Sequence, residues 1–165
     1  MALDELDVRI LELLTENPKT TGVEAAAELG IARATYQSRL DRLTSRGVAS
    51  LEPQVDTTKV GYPVTAFISA EIRQSSRGHG VIDHLAAIPE VTEVHTVTGS
   101  SDLLIRAVAR SNQHLQEVLD RLARHDDVLH TSTSIALANP IALRSRGLAR
   151  LALEDPQAAA ADEAN

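Results

Sequence analysis

The sequence predicts an α+β protein, an N-terminal winged helix-turn-helix followed by a C-terminal ferredoxin-like βαββαβ domain. Three observations predict it. Residues 21 to 47 read as two helices joined at a glycine corner, with arginines off the buried face. Residues 64 to 72 alternate apolar and polar side chains with period two. Helical stripes at 81–86 and 115–122 then alternate with three further strand-like runs.

The first helix is expected from about Glu5 to Thr15, with Leu6, Ile10, Leu13 and Leu14 as its apolar stripe. Asp4 is its N-cap, Leu3 can staple onto Val8, and Asn17-Pro18 stops it. The second helix, Gly22 to Leu29, has Thr21 and Glu24 at capping-box spacing and ends at Gly30. The third runs from about Arg33 to Arg46 and turns Tyr36, Leu40 and Leu43 inward. The expected core of this module is Leu6, Ile10, Leu13, Val23, Ala26, Leu29, Ile31, Leu40 and Leu43.

Residues 48 to 55 are extended in character, a wing or connecting strand, and 56 to 63 are turn-rich. The expected domains are 1–50, a linker at 51–63, 64–138, and an extension at 139–165. In the second domain Val64, Ala66, Ile68, Ala70 and Ile72 share one strand face, and Thr65, Phe67, Ser69 and Glu71 the other. A loop at 75–80, a helix to Ile88, strands at 91–98 and 102–109, a helix ending near Arg124 and a strand at 128–138 complete the order. One sheet face should stay uncovered, with Phe67 on it and Val97 on or near it, which predicts dimerisation through sheet faces. Residues 141 to 153 suit a short helix, and the Ala- and acid-rich stretch from Pro156 suits disorder.

Charge is distributed unevenly. The chain carries a formal net charge of -7, yet residues 31–47 hold four arginines against Asp41, a net of +3. Residues 1–30 hold seven acids against Arg9 and Lys19, a net of -5. A local basic helix still suits phosphates, because contacts act within a Debye length of about 8 Å. Aromatic residues make up 2% of the chain, which argues against base-stacking platforms for single strands. The absence of cysteine excludes disulfides and thiolate metal sites. The acidic start and the lack of a long apolar run predict a cytoplasmic protein without membrane partners.

These features together resemble the Lrp/AsnC, or feast/famine, regulators. The segment Leu3-Asp4-Glu5-Leu6-Asp7 with Ile10-Leu11 is similar to the start of that family's first helix. Ala26, Gly30, Ile31, Arg39, Leu43 and Gly47-Val48 are similar to its corner and recognition helix, and Val97 to Asp102 to its β2–β3 turn. The resemblance covers about residues 3 to 138. It departs at Ala32, where the family usually has a capping Ser, at Ala25, where it usually has Leu, and in the longer basic tail.

The expected partner is double-stranded DNA, read by Arg33, Thr35, Tyr36, Gln37 and Ser38 at the amino end of the second helix of the pair. Arg39, Arg42 and Arg46, further along, suit phosphate contacts, and Tyr36 equally suits the core. The resemblance implies a homodimer assembling to a tetramer or octamer. It also implies a small amino-acid effector held between dimers near Thr98, Gly99, Ser100, Ser101 and Asp102, with Thr131 and Thr133 completing the pocket from a neighbouring subunit. Backbone N–H groups at a glycine turn can hold a carboxylate, and Asp102 an ammonium. No catalytic constellation, cofactor or metal site is expected. The alternative is an enzyme, because siroheme decarboxylases resemble the same two-domain arrangement and use His and Arg near a tetrapyrrole. Six scattered histidines, with His95 and His130 on strands, are the residues that reading would need.

Overall fold

The computed structural model describes residues 3–51, 53–73 and 79–154. The expected loop at 75–80 lies largely outside them, as does the tail from Pro156. The chain divides into two compact units, one from the residues up to Pro53 together with those from Ile141 onward, the other Gln54–Pro140.

The first unit contains α1 (Glu5–Glu16), α2 (Gly22–Leu29) and α3 (Arg33–Ser45), followed at the far end of the chain by α6 (Arg146–Glu154). Each of the first two helices begins with a reciprocal capping box. Thr21 Oγ1 accepts the Glu24 N–H at 3.3 Å, and Glu24 accepts the Thr21 N–H at 2.9 Å. Asp4 and Asp7 exchange the same pair of bonds at 2.9 and 3.2 Å. Gly30, at φ 70°, makes the left-handed corner that a side chain would strain. The core gathers Ile10, Leu13, Ala25, Ala26, Leu29, Tyr36 and Leu43, with Leu6, Ile31 and Leu40 half-buried beside them. Val23, expected inside, is 59% exposed, because the α2 face turned inward carries Ala25, Ala26 and Leu29 instead.

No strand forms between α3 and the sheet among the described residues, so the expected wing strand at 48–55 is corrected. The Val48 and Ala49 N–H groups both donate to the Leu43 carbonyl and close the helix. Beyond them Leu51 and Val55 are exposed, without a ladder partner among the described residues.

The second unit is a four-stranded antiparallel sheet in the order β2-β3-β1-β4, with β1 Val64–Ile72, β2 Val91–Thr96, β3 Leu103–Ala109 and β4 Val128–Ile135. Helices α4 (His79–Ala86) and α5 (Asn112–Leu122) follow β1 and β3, giving the expected βαββαβ order. Period-two burial puts Ala66, Ile68 and Ala70 of β1 opposite Ala107, Ile105 and Leu103 of β3. Val81, Leu85 and Ile88 from the first crossover and Leu115, Val118 and Leu122 from the second pack onto that face. Phe67 lies on the opposite face and is 42% exposed. Both β2 and β4 stop short of the expected ends at 98 and 138.

The crossover ends are tied by a polar network. Glu90 forms ion pairs with Arg121 at 2.7 Å and with the buried His114 at 3.2 Å, and His114 Nδ1 accepts the Arg110 N–H at 3.1 Å. Burial alone would raise the Glu90 carboxyl, but Arg121, a backbone N–H and His114 together outweigh it and hold Glu90 below its ordinary value. A depressed carboxyl stabilises the fold above its unfolded value, and that contribution fades as pH falls through the folded one. Glu90→Gln is therefore expected to lower the urea midpoint at pH 6, with the gap to wild type narrowing as the pH drops below about 4. A gap that widens in acid would contradict the assignment.

Candidate nucleic-acid interface and effector turn

The interface is built on α3. Its N-cap, Ala32, has extended geometry (φ -67°, ψ 142°) but no side-chain bond to the helix, so the first N–H groups lack a protein cap. Ala32→Ser is expected to stabilise this unit by about 1 kcal/mol, raising its thermal midpoint by several degrees in a calorimetric melt. An unchanged midpoint would mean that another group already satisfies those donors.

Arg33, Thr35, Gln37 and Ser38 are exposed along the first turns of α3, and Arg46 is exposed at its end. Gln37 donates to Asp41 at 2.8 Å, which holds its amide along the helix. Tyr36 is corrected from interface to core. It is 2% exposed, and its ring lies against Gly22, where a Cβ would stand 3.6 Å from the Cε1 carbon.

Arg39 and Arg42 are engaged within the unit. Asp7 of α1 is fully buried and accepts from Arg42 Nη2 at 2.8 and 2.7 Å and from Arg39 Nη1 at 3.1 Å. Arg39 also pairs with Asp4, whose carboxyl is held below its ordinary value first by that guanidinium. A buried carboxylate surrounded by donors fixes geometry, because a buried charge left alone is costly. Thus α1 grips the middle of α3 and leaves its amino end outward. Sequence reasoning missed Asp7. Its three-residue spacing from Asp4 marks one edge of α1, but nothing local names a partner 35 residues away.

In the second unit the β2–β3 turn carries Thr98, Gly99, Ser100, Ser101 and Asp102. Gly99 has φ 119°, a left-handed backbone that favours glycine. The Asp102 N–H donates to the Ala70 carbonyl at 3.0 Å, and Asp102 Oδ2 accepts the Ile72 N–H at 2.8 Å. One carboxylate oxygen therefore pins the irregularity at Glu71/Ile72, while Oδ1 takes no bond in that contact. Thr131 pairs with Ala70 and Thr133 with Ile68 in β4, so Thr131 lies at the same end of the sheet as the turn and Thr133 one step inward.

Among the described residues no three His, Cys, Asp or Glu side chains are grouped to hold a metal ion. His130 faces Glu71 across β1–β4 and His95 faces Leu104 across β2–β3, so these two lie on separate strand pairs. Among the described residues no helix is long and apolar enough to cross a membrane.

Comparison with known proteins agrees with this geometry. Residues 3–49 match the winged helix-turn-helix DNA-binding family, and residues 65–145 match the Lrp/AsnC ligand binding domain. The regulatory protein AsnC of Escherichia coli K12 is 30% identical over 141 residues, 84% of this chain and 93% of that one. A helix-turn-helix transcriptional regulator of Pyrococcus abyssi is 31% identical over 135 residues, 81% of this chain and 85% of its own. The solved E. coli AsnC superposes with a TM-score of 0.80 at 28% identity, covering 88% of this chain and 99% of that one. A Neisseria meningitidis transcriptional regulator solved with L-Met gives 0.76 at 26% identity, covering 85% and 93%. The helix-turn-helix, the ferredoxin-like sheet and these relatives converge, and the chain belongs to the Lrp/AsnC family of transcriptional regulators.

Proposed function

We propose that this regulator reads duplex DNA with the amino end of α3 and that a small amino acid bound at the 98–102 turn sets its affinity or its assembly. The observation that carries the reading is the division of α3. Arg39 and Arg42 are anchored on Asp4 and Asp7, whereas Arg33, Thr35, Gln37 and Ser38 stand free of the core. Such a helix can enter a major groove without shifting in its seat. Arg33 suits guanine edges and Arg46 phosphate, while Arg39 and Arg42 act mainly by holding the helix.

The effector reading is supported by the Gly99 turn and by Asp102 Oδ1, which together offer a carboxylate site and an ammonium site. The L-Met complex of the Neisseria relative makes an amino acid the natural class. The open sheet face carrying Phe67 supports dimers, which would present two α3 helices roughly 34 Å apart or at a multiple of that distance. On this reading the dimers associate further into tetramers or octamers.

The test is a duplex selected from a random pool by the full chain, titrated with and without each of the twenty amino acids, with sedimentation run in parallel. The proposal expects one or a few amino acids to change either the affinity or the sedimenting species. If none of the twenty alters either, the effector reading is wrong.

A further inference from the structure

The described chain ends in a helix that lies outside both matched stretches. Helix α6 begins at Arg146, one residue past the ligand-binding match, and it packs on α1 in the first unit. Nine residues are too few to stay helical alone in water, so docking is what makes this segment a helix.

One side chain dominates the contact. Arg150 Nη1 donates to both Glu5 oxygens at 2.8 and 2.9 Å. Its Nε and Nη2 donate to the two Glu12 oxygens at 3.1 and 2.7 Å. Two carboxylates spaced two turns apart on α1 therefore occupy all three nitrogens of one guanidinium. A fork filled on two sides fixes direction, whereas a single surface ion pair contributes little to stability.

The edge of α1 that holds α6 is not the edge that holds α3. Asp4 and Asp7 point roughly a third of a turn around the helix from Glu5 and Glu12. The first turn of α1 is thus gripped by three arginines, Arg39 and Arg42 from one side and Arg150 from the other. Charge tells the same story. Residues 1–47 carry eight acids against six bases, and residues 141–154 add three arginines against Glu154, which brings the described set to neutrality. Without Arg150, Glu5 would stand uncompensated beside Asp4 and Asp7, the carboxylates that seat the recognition helix.

We propose that Arg150 is a positioning residue for DNA recognition, locking α6 across α1 so that α1 in turn holds α3 in its reading position. The proposal rests on the reading of α3 given above. Arg150 itself does not touch DNA in this scheme, since each of its three guanidinium nitrogens is held by Glu5 or Glu12.

The test compares wild type, Arg150→Glu and the charge swap Arg150→Glu with Glu12→Arg, all in the full chain. Arg150→Glu is expected to reduce the preference for a pool-selected duplex over random duplex about tenfold and to leave the salt slope of binding unchanged. In the DNA-free protein, amide exchange in the first turn of α1 and in α3 should quicken. The swap should restore part of both preference and exchange, because the arginine placed at position 12 pairs with the new carboxylate while Glu5 still opposes it. Three outcomes would overturn the proposal: unchanged preference with only a lower melting midpoint, a salt slope smaller by about one unit, which means that Arg150 meets a phosphate directly, or a swap that rescues neither readout. Should wild type prefer no duplex, the reading of α3 fails instead, and amide exchange in the DNA-free protein still decides for or against the clamp.

Discussion

Asp7→Ala is expected to destabilise the N-terminal unit by about 2–3 kcal/mol and to remove sequence-selective DNA binding. Asp7 is fully buried and answers three charged donor contacts, from Arg42 twice and from Arg39 once. Removing one partner of a buried ion pair typically costs about 3–5 kcal/mol, because the other charge is stranded. Here both guanidiniums keep some access to water, with side chains 27% and 38% exposed, so the loss falls at or below the low end of that range. The same substitution also removes the acceptor for the Asp4 N–H, one of the orphan donors at the start of α1. Chemical denaturation of the single variants and of Asp7→Ala with Arg42→Ala checks the assignment. The two should couple by at least about 1 kcal/mol, since residues in one network are not additive. Additive losses would mean that Arg42 is free to serve DNA alone. The rival expectation, a uniform fall in affinity from Arg42→Ala with no change in stability, then becomes the correct one.

The second large effect belongs to the turn. Asp102→Ala is expected to abolish amino-acid binding in calorimetry and to destabilise the effector unit by about 1–2 kcal/mol, because the Ile72 N–H loses its acceptor. The two consequences separate with Asp102→Asn. An amide oxygen can still accept from Ile72, so stability should hold, while the charge that meets an ammonium is gone. A charge-assisted bond contributes about 1.5–3 kcal/mol, so the loss of affinity should be roughly 10- to 150-fold. Binding that survives both substitutions would place the amino acid elsewhere, and Asp102 would be a turn residue with a structural duty only.

What was legible in the sequence follows the range of the forces involved. The Thr21–Glu24 box, the Gly30 corner and the alternation from Val64 to Ile72 are decided within a few residues, and each forms as the spacing requires. The βαββαβ arrangement followed from helices long enough to cross a sheet. What could not be read depends on partners far along the chain. Asp7 meets Arg42, Glu90 meets Arg121 and Arg150 meets Glu5, and no local pattern couples any of these pairs. Tyr36 was readable as core from its spacing with Leu40 and Leu43, yet its place among polar residues of α3 also suited an interface, and burial decided between them. Residues 48–55 had the composition of a strand, but among the described residues they meet no ladder partner, and strand propensity without a neighbour does not make a strand. The tail from Ile141 looked like an appendage. Its helix is part of the first unit because one arginine finds two glutamates on α1.

The central claim is that the exposed amino end of α3 reads base edges while Asp4 and Asp7 hold the helix behind it. Equilibrium binding of wild type and Arg33→Ala to a pool-selected duplex and to its scrambled counterpart, each across a range of salt, tests this most directly. The account predicts that wild type prefers the selected duplex by about 10³-fold or more. Arg33→Ala should narrow that gap by roughly 5- to 150-fold, the worth of one bidentate base contact, and should hardly alter affinity for the scrambled duplex. Equal binding of both duplexes by wild type, or an equal loss on both from Arg33→Ala, would contradict it.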